Sequence, residues 1–409
     1  MLSFGTSRLP ANIVFGEGQR LALGEICRPF GKRVFICTDA YLAANAEWYA
    51  PLLASLTEHG LEVSAYTETE AELPYACLDQ AVTAARAFAP DVIVGLGGGS
   101  CMDLAKLVSL MLTHGGSVRD YYGELKVPGP IIPVIAVPTT SGTGSEVTPV
   151  AVIEDPDRAT KVGISSAYLI PVAAICDPEV TYTCPRGLTA AAGADAMTHA
   201  VEAFTAAHKP ITASLGQSTV FVGKNLLSDE FALIAIRLLT KSLKRAYDDG
   251  SDAEARRDVM MAALMAGIAF GTAGTAAAHA LQYPVGAITH SAHGLGVATL
   301  LPYVMQYNRP SCTVAYAAIA RAMSAGDAAD SDEILADKAI DALAALFDSV
   351  NIPRTLADLK MPEDRIDWAA EQAFGAARLI NNNPRTLTVD ALIAISQSAF
   401  SGNRAALAG

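Results

Sequence analysis

The chain carries two different hydrophobic rhythms, and one layered architecture does not serve both. Up to about residue 180, short apolar runs alternate with helix-period segments. RVFICTD at 33–39 reads as a buried strand ending at Asp39, and the stretch from Trp48 to His59 reads as a helix. LEVSAYTE reads as a second strand, and the Ala-rich segment from Tyr75 to Ala89 as a helix. DVIVGLGGGS is a third strand running into glycines, CMDLAKLVSLMLTHG the helix after it, and IIPVIAVPTT a fourth strand. Such alternation predicts a mostly parallel sheet with helices on both faces. Past about residue 183 the strand signals stop. RGLTAAAGADAMTHAVEAFTAA, DEFALIAIRLLTKSLKRAYDD and AEARRDVMMAALMAGIAF carry helical periodicity, as do the C-terminal segments. The shift falls in TYTCPRGLT, with Pro185 and Gly187 at the joint. We therefore expect an α/β domain over 1–183 and an all-helical domain over 184–409; 409 residues exceed one ordinary core in any case.

Gly97-Gly98-Gly99-Ser100 follows an apolar strand and opens a helix. Missing side chains let a diphosphate approach the backbone, and a helix N-terminus offers free N–H groups and a positive dipole end. Ser100 is read as the helix cap and a donor to phosphate. Asp103 is placed in the first turn, which suits the dipole. A tight turn without a ligand is the plainer alternative. Asp39, at the end of the first strong strand, is suited to accept from a ribose; its charge would repel a 2′-phosphate and favour NAD over NADP. It could equally cap the following helix. PTTSGTGSEVT, 138–148, supplies the hydroxyls of Thr139, Thr140, Thr143 and Thr148 and two further glycines, a loop fit to wrap phosphate or nicotinamide, or else only a connector. Cys101 opens the glycine-loop helix, where a thiol pKa can be lowered; packing is its plainer role.

Asp195 and His199, in GADAMTHAVEA, stand four residues apart, so a helix puts them on one face. His279 and His293 lie in AHALQYPVGAITHSAHG, His279 after an Ala-rich helical segment and His293 in a turn-like SAHG context. One carboxylate and three imidazoles suit a divalent metal, Fe2+ or Zn2+, with Mn, Co and Ni also possible. Taken singly, Asp195 could be a solvated acid and His199 a core imidazole. His290 competes with His293, and we favour His293.

A phosphate-backbone binder needs a basic face, so with a net charge of −13 nucleic acid is not expected as a partner. Seven scattered cysteines without a CxxC pair point to reduced thiols and a cytoplasmic location. MLSFGTSRLP does not read as a signal peptide. Val259 to Thr289 has no charged residue, yet its glycines, threonines, His279, Gln282 and Pro284 argue against a membrane span and for a buried helix followed by a loop.

GGGSxxDxAK, PTTSGTGSEVT, GxDAxxHAxEA and HxxxxPxGxxxxxxHG, in that order, resemble the iron-containing (group III) alcohol dehydrogenases from NIVFGEG at 12–18 to the C-terminal helices. The resemblance implies a Rossmann-like N-terminal α/β domain and an all-α C-terminal domain, the dehydroquinate synthase-like architecture. It implies Asp195, His199, His279 and His293 as metal ligands. It also implies Gly97, Gly98, Gly99, Ser100, Asp103, Thr139, Thr140 and Lys161 at the NAD(P) site, with Asp39 as the cofactor-selecting acid. Two departures stand out. Many members carry a second His four residues after the third ligand, where this chain has Tyr283. PITASLGQSTVFVGKNLLSDEFAL is also longer than in typical bacterial members. Both features are reminiscent of the hydroxyacid–oxoacid transhydrogenase branch.

The expected chemistry is hydride transfer between nicotinamide C4 and an alcohol or carbonyl polarised by the metal. The substrate is expected to be a small alcohol, aldehyde or hydroxy acid. Tyr283, one helical turn beyond His279, is expected to position or protonate the substrate oxygen; a core tyrosine is the alternative. The rival readings are transhydrogenase, maleylacetate-reductase-like or glycerol-dehydrogenase-like activity and, outside the enzymes, a metal or nucleotide sensor. Composition and family suggest a homodimer or larger homo-oligomer.

Overall fold

A computed structural model describes residues 4–158 and 161–407. Among the described residues nine strands are formed, in chain order: β1 Asn12–Phe15, β2 Arg33–Cys37, β3 Glu62–Tyr66, β4 Val92–Gly97, β5 Gly123–Glu124, β6 Val134–Pro138, β7 Val150–Ile153, β8 Val162–Ser165 and β9 Ala173–Cys176. Six make one sheet in the order β1-β9-β6-β4-β2-β3, every pairing parallel. Its central strands VIVGLG and VIAVP are buried along their whole length. A parallel sheet covered on both faces requires that. The covering helices include α1 Tyr49–Glu58, α2 Tyr75–Phe88 and α3 Gly99–His114.

The four expected strands are β2, β3, β4 and β6. The chain adds two that the apolar pattern did not single out. β1 and β9, four residues each, pair with one another in parallel register, Asn12 opposite Ala173. A second sheet, β5-β8-β7, is built from strands of two to four residues, with β7 and β8 antiparallel. It packs against α3 rather than extending the main sheet.

From Pro185 the chain is helical. The long helices are α4 Arg186–Thr205, α5 Leu226–Asp248, α6 Ala253–Ala273, α7 Ala277–Thr289, α8 His293–Ala322 and α9 Asp332–Ser349. Their shared core is unusually rich in alanine, with Ala194, Ala200, Ala203, Ala235, Ala262, Ala266 and Ala280 all buried. Small side chains let helix axes approach closely, and this is what brings polar groups on separate helices within reach of one another. The two compact units divide at Cys184/Pro185. Residues 4–7 group with the helical unit, and Gln217–Val220 with the α/β unit. Within the α/β unit, Glu124 accepts from Thr219 Oγ1 and Val220 N at 3.2 and 3.0 Å.

The charge-free stretch 259–289 is not a helix followed by a loop. It is two helices, α6 and α7, bent by 103° at a short break. Gly274 (φ +86°) makes the corner, and Asn382 Nδ2 donates to the carbonyls of Ala273 and Thr275 on either side of it, both at 3.1 Å. Among the described residues no single helix is long and apolar enough to cross a membrane; the bent α6–α7 pair passes that test only when taken together, and both helices are largely buried. Six of the seven cysteines are buried and Cys184 is half-buried.

Candidate metal centre and glycine loop

The metal candidates gather within the helical unit. Asp195 and His199 lie one turn apart on α4, His279 in the first turn of α7, and His293 at the first position of α8. His293 is therefore helical, not in a turn. The glycines after it do not break the helix. A Cβ on Gly294 would stand 2.1 Å from the Ala191 carbonyl oxygen, so Gly294 lets α8 touch α4 beside Asp195. Three imidazole Nε2 atoms converge on one oxygen. His199, His279 and His293 place Nε2 at 3.7, 3.7 and 3.8 Å from Asp195 Oδ1. The ligand atoms of Asp195, His199 and His279 all lie within 4.8 Å of one another. His290 is exposed, in the left-handed region (φ +51°) as the C-cap of α7, and takes no part.

Distances of 3.7–3.8 Å are too long for hydrogen bonds. They suit donors that share an ion, because two atoms each about 2.1 Å from one cation stand roughly 3.0–3.7 Å apart at ordinary coordination angles. Asp195 Oδ1 and His279 Nε2 are buried with no hydrogen-bond partner. Each such orphan costs about 1–3 kcal/mol unless something else satisfies it. The electrostatics agree. Burial would raise the Asp195 carboxyl, yet the three imidazoles hold it well below the usual carboxylate range. Burial would lower His279, yet Glu202 and Asp195 raise it to about 9. The two shifts are one mutual attraction, the imidazoles favouring the ionised carboxylate and the carboxylates favouring positive charge on the ring. A buried set of one oxygen and three nitrogens, without thiolate, fits a divalent ion. His199 stacks on Phe270 at 4.0 Å, which fixes its ring plane. His293, only half-buried, marks the more open side of the set.

One residue here escaped the sequence reading. Glu202, buried on α4, accepts from His279 Nδ1 at 2.6 Å. It stands three residues after His199 and seven after Asp195, in the same motif and on the same helical face, so the spacing held a signal for it. Tyr283 is half-buried against the helical core, one turn beyond His279.

The glycine loop lies in the α/β unit. Gly97 (φ +149°) turns the chain at the end of β4, and a Cβ there would meet Cys101 Sγ at 2.5 Å. Gly98, not Ser100, is the N-cap of α3, and no side chain caps that end. Cys101 N donates to the Gly98 carbonyl at 3.1 Å, while the N–H groups of Gly99 and Ser100 before it receive no side-chain cap. Thr140 and Thr143 flank the turn; Cβ atoms on Gly98 and Gly99 would lie 3.6 Å from Thr140 Oγ1 and 2.8 Å from Thr143 Cγ2. Thr139 N donates to the Gly97 carbonyl at 2.9 Å. Asp39, two residues beyond β2, caps the next helix, accepting from Leu42 N at 2.9 Å. Lys161, just before β8, is ion-paired with Glu72. Cys101 does not have the lowered thiol pKa that its helix position suggests: burial pushes it up to about 12, and Asp39 adds to the rise.

Asp103 and Thr148 are turned inward instead of facing the glycines. Asp103 lies beyond the first turn, accepting from Ser145 Oγ at 2.6 Å and Val152 N at 2.9 Å. Beside it Lys106, fully buried, donates to Ser145 Oγ at 2.8 Å, to the Thr148 carbonyl at 3.1 Å and to the Val150 carbonyl at 2.7 Å. Burial lowers its ammonium to about 8, against Asp103 and Glu146. This network clamps the 139–148 loop to the helix that leaves the glycine turn. Lys106 was not singled out from the sequence, because a lysine in a helical segment ordinarily reads as solvated.

Glu146 is buried beside that network, and burial raises its carboxyl from 4.5 to about 7 although Lys106 pulls it down. Between those values the folded chain holds a proton that the unfolded chain releases. Stability from this group is thus complete below about pH 4.5 and lost as pH rises through 7. Relative to a Glu146→Gln protein, the native chain is expected to lose roughly 3 kcal/mol across that window. Urea midpoints at both ends of the window measure it, and parallel pH profiles for the two proteins would refute it.

The family described as iron-containing alcohol dehydrogenase matches residues 10–178, and its C-terminal domain, described as Fe-containing alcohol dehydrogenase family, C-terminal, matches residues 189–400. The chain is 37% identical to the long-chain-alcohol dehydrogenase 1 of Geobacillus thermodenitrificans (strain NG80-2), over 92% of each chain. It is 31% identical to the NAD-dependent methanol dehydrogenase of Bacillus methanolicus, over 96% of this chain and 99% of that one. Among solved structures, a 1,3-propanediol oxidoreductase superposes with a TM-score of 0.90 at 32% identity, over 98% of this chain and all of that one.

Proposed function

Because the chain belongs to the iron-containing alcohol dehydrogenase family, we propose that it is an NAD-linked, metal-dependent oxidoreductase that interconverts small alcohols with aldehydes or ketones. The observation that carries this is the convergence of three Nε2 atoms on Asp195 Oδ1 at 3.7–3.8 Å. Asp195, His199, His279 and His293 would hold the ion, Fe2+ by family and Zn2+ or another divalent metal by donor chemistry. When bound, the ion supplies Lewis acidity toward an alcohol or carbonyl oxygen, and the nicotinamide gives or takes the hydride.

The remaining work falls to the chain. Asp195 sets the negative field of the pocket, and the imidazoles enter it as neutral donors. Gly97, Gly98, Gly99 and Ser100 present backbone N–H groups to a diphosphate. Thr139, Thr140 and Thr143 offer hydroxyls beside it, Asp103 and Thr148 keep their loop in place, and Lys161 borders the same site. Asp39 accepts from the ribose and disfavours a 2′-phosphate, making NAD rather than NADP the partner. The Tyr283 hydroxyl positions or delivers the proton at the substrate oxygen. We place the enzyme in the cytoplasm as a homodimer or larger homo-oligomer, with neither nucleic acid nor membrane among its partners.

Metal analysis of anaerobically purified protein, joined to an NADH-linked screen, tests the reading. About one divalent ion per chain is expected, with aldehyde-dependent NADH oxidation that chelation removes and Fe2+ or Zn2+ restores. Full activity in a metal-free protein, or no turnover of any alcohol, aldehyde or hydroxy acid, would overturn it. Turnover of a hydroxy acid and oxo acid pair without added NAD would assign the transhydrogenase chemistry instead.

A further inference from the structure

Helix α7 begins without help from its own sequence. Its N-cap is Ala276, and no side chain of the segment caps it. The cap comes from another helix. Glu202 of α4 accepts from Ala276 N through Oε2 at 2.8 Å and from Ala278 N through Oε1 at 2.7 Å. The same Oε2 takes His279 Nδ1 at 2.6 Å. One buried carboxylate thus meets the three donors of the corner where the chain turns from α6 into α7. That corner carries a candidate metal ligand in its first turn.

The chemistry of the pair determines where the imidazole proton sits. An ionised carboxylate can only accept, so the Nδ1 facing it must donate. The other nitrogen, Nε2, 3.7 Å from Asp195 Oδ1 with no hydrogen-bond partner of its own, is then the one that releases its proton and offers a lone pair when a cation binds. We infer that Glu202 is a positioning residue for the metal centre: it holds His279 as the Nδ1–H tautomer and fixes the start of α7, so that Nε2 is presented as a ligand. This rests on the metal reading above and deepens it. Carboxylates behind ligating imidazoles typically set 10–100-fold in metal affinity.

Glutamine at this position keeps the shape but has one acceptor oxygen for three donors. In one orientation its N–H2 opposes Ala278 N–H. In the other it faces Ala276 N–H and Nδ1, driving the imidazole proton onto Nε2, where it blocks a cation. The experiment measures the Zn2+ dissociation constant of the full chain by chelator competition for the native protein, Glu202→Gln, His279→Ala and the double variant. We expect Glu202→Gln to weaken Zn2+ about 10–100-fold in the native background and to have no further effect once His279 is alanine. Native affinity in Glu202→Gln, or the same loss in both backgrounds, overturns the inference. Should Glu202→Gln fail to fold, Glu202→Asp, which keeps the charge but is one methylene too short to reach all three donors, decides by the same two comparisons. A native protein that binds no Zn2+ would remove the metal reading itself, whereas native binding with an unaffected Glu202→Gln would remove only this step.

Discussion

An Asp195→Asn enzyme is expected to lose at least about 10²–10³-fold in kcat/KM and most of its bound metal, with its fold intact. Asn keeps the volume and one acceptor oxygen, so packing on α4 is unchanged. It removes the charge toward which three Nε2 atoms are drawn at 3.7–3.8 Å. The magnitude is that of deleting a preorganised electrostatic stabiliser of a transition state, and ion affinity falls with it because the remaining donors are neutral. Stability of the chelated proteins should also fall at neutral pH, since the three imidazoles hold the ionised carboxylate well below its usual range against its own burial and Asn forfeits that attraction. Metal content, kcat/KM and the melting temperature of chelated samples together test this. An Asp195→Asn protein with native metal content and turnover would show that Asp195 is not a ligand.

The second large effect is one of stability. Lys106→Met is expected to destabilise the α/β unit by about 3–5 kcal/mol, the usual cost of removing one member of a buried charged network. Methionine fills much of the space but leaves the carbonyls of Thr148 and Val150 without the ammonium that serves them at 3.1 and 2.7 Å. It also leaves the part-buried Asp103 carboxylate without its cation, 3.9 Å away. Because the loop from Thr139 to Thr148 hangs from this network, NAD affinity should fall along with stability. Adding Asp103→Leu should recover part of the stability, since replacing the whole pair is cheaper than breaking it. Urea unfolding followed by probes in each unit separates the α/β transition from the helical one. A midpoint equivalent to less than about 1 kcal/mol of loss would mean that water or a shifted backbone takes over from the ammonium.

The parts of the molecule legible in the sequence are those where one pattern governs a whole element. Strands β2, β4 and β6 are continuous apolar runs because both faces of a parallel sheet are covered. β9 shares that environment and β1 lies at the sheet's edge, part-exposed, but each is four residues long, too short for a run to stand out. The helix pair Asp195 and His199 follows from spacing alone. That His279 and His293 approach the same oxygen depends on the corner at Gly274 and on Gly294 against Ala191, contacts between segments that no local pattern encodes. The SAHG context of His293 suggests a turn, whereas Gly294 serves close approach instead. Glu202 and Lys106 carry no signal of burial in their own segments, because a charged side chain on a helix is ordinarily solvated. Both are buried because they complete networks whose other members lie elsewhere in the chain.

The cysteine distribution has a practical corollary. With six thiols enclosed and only Cys184 half-buried, the wild-type polypeptide already offers a single preferred position for a maleimide dye or a nitroxide. Spectroscopic labelling beside Pro185 therefore needs no prior removal of the other sulfhydryls.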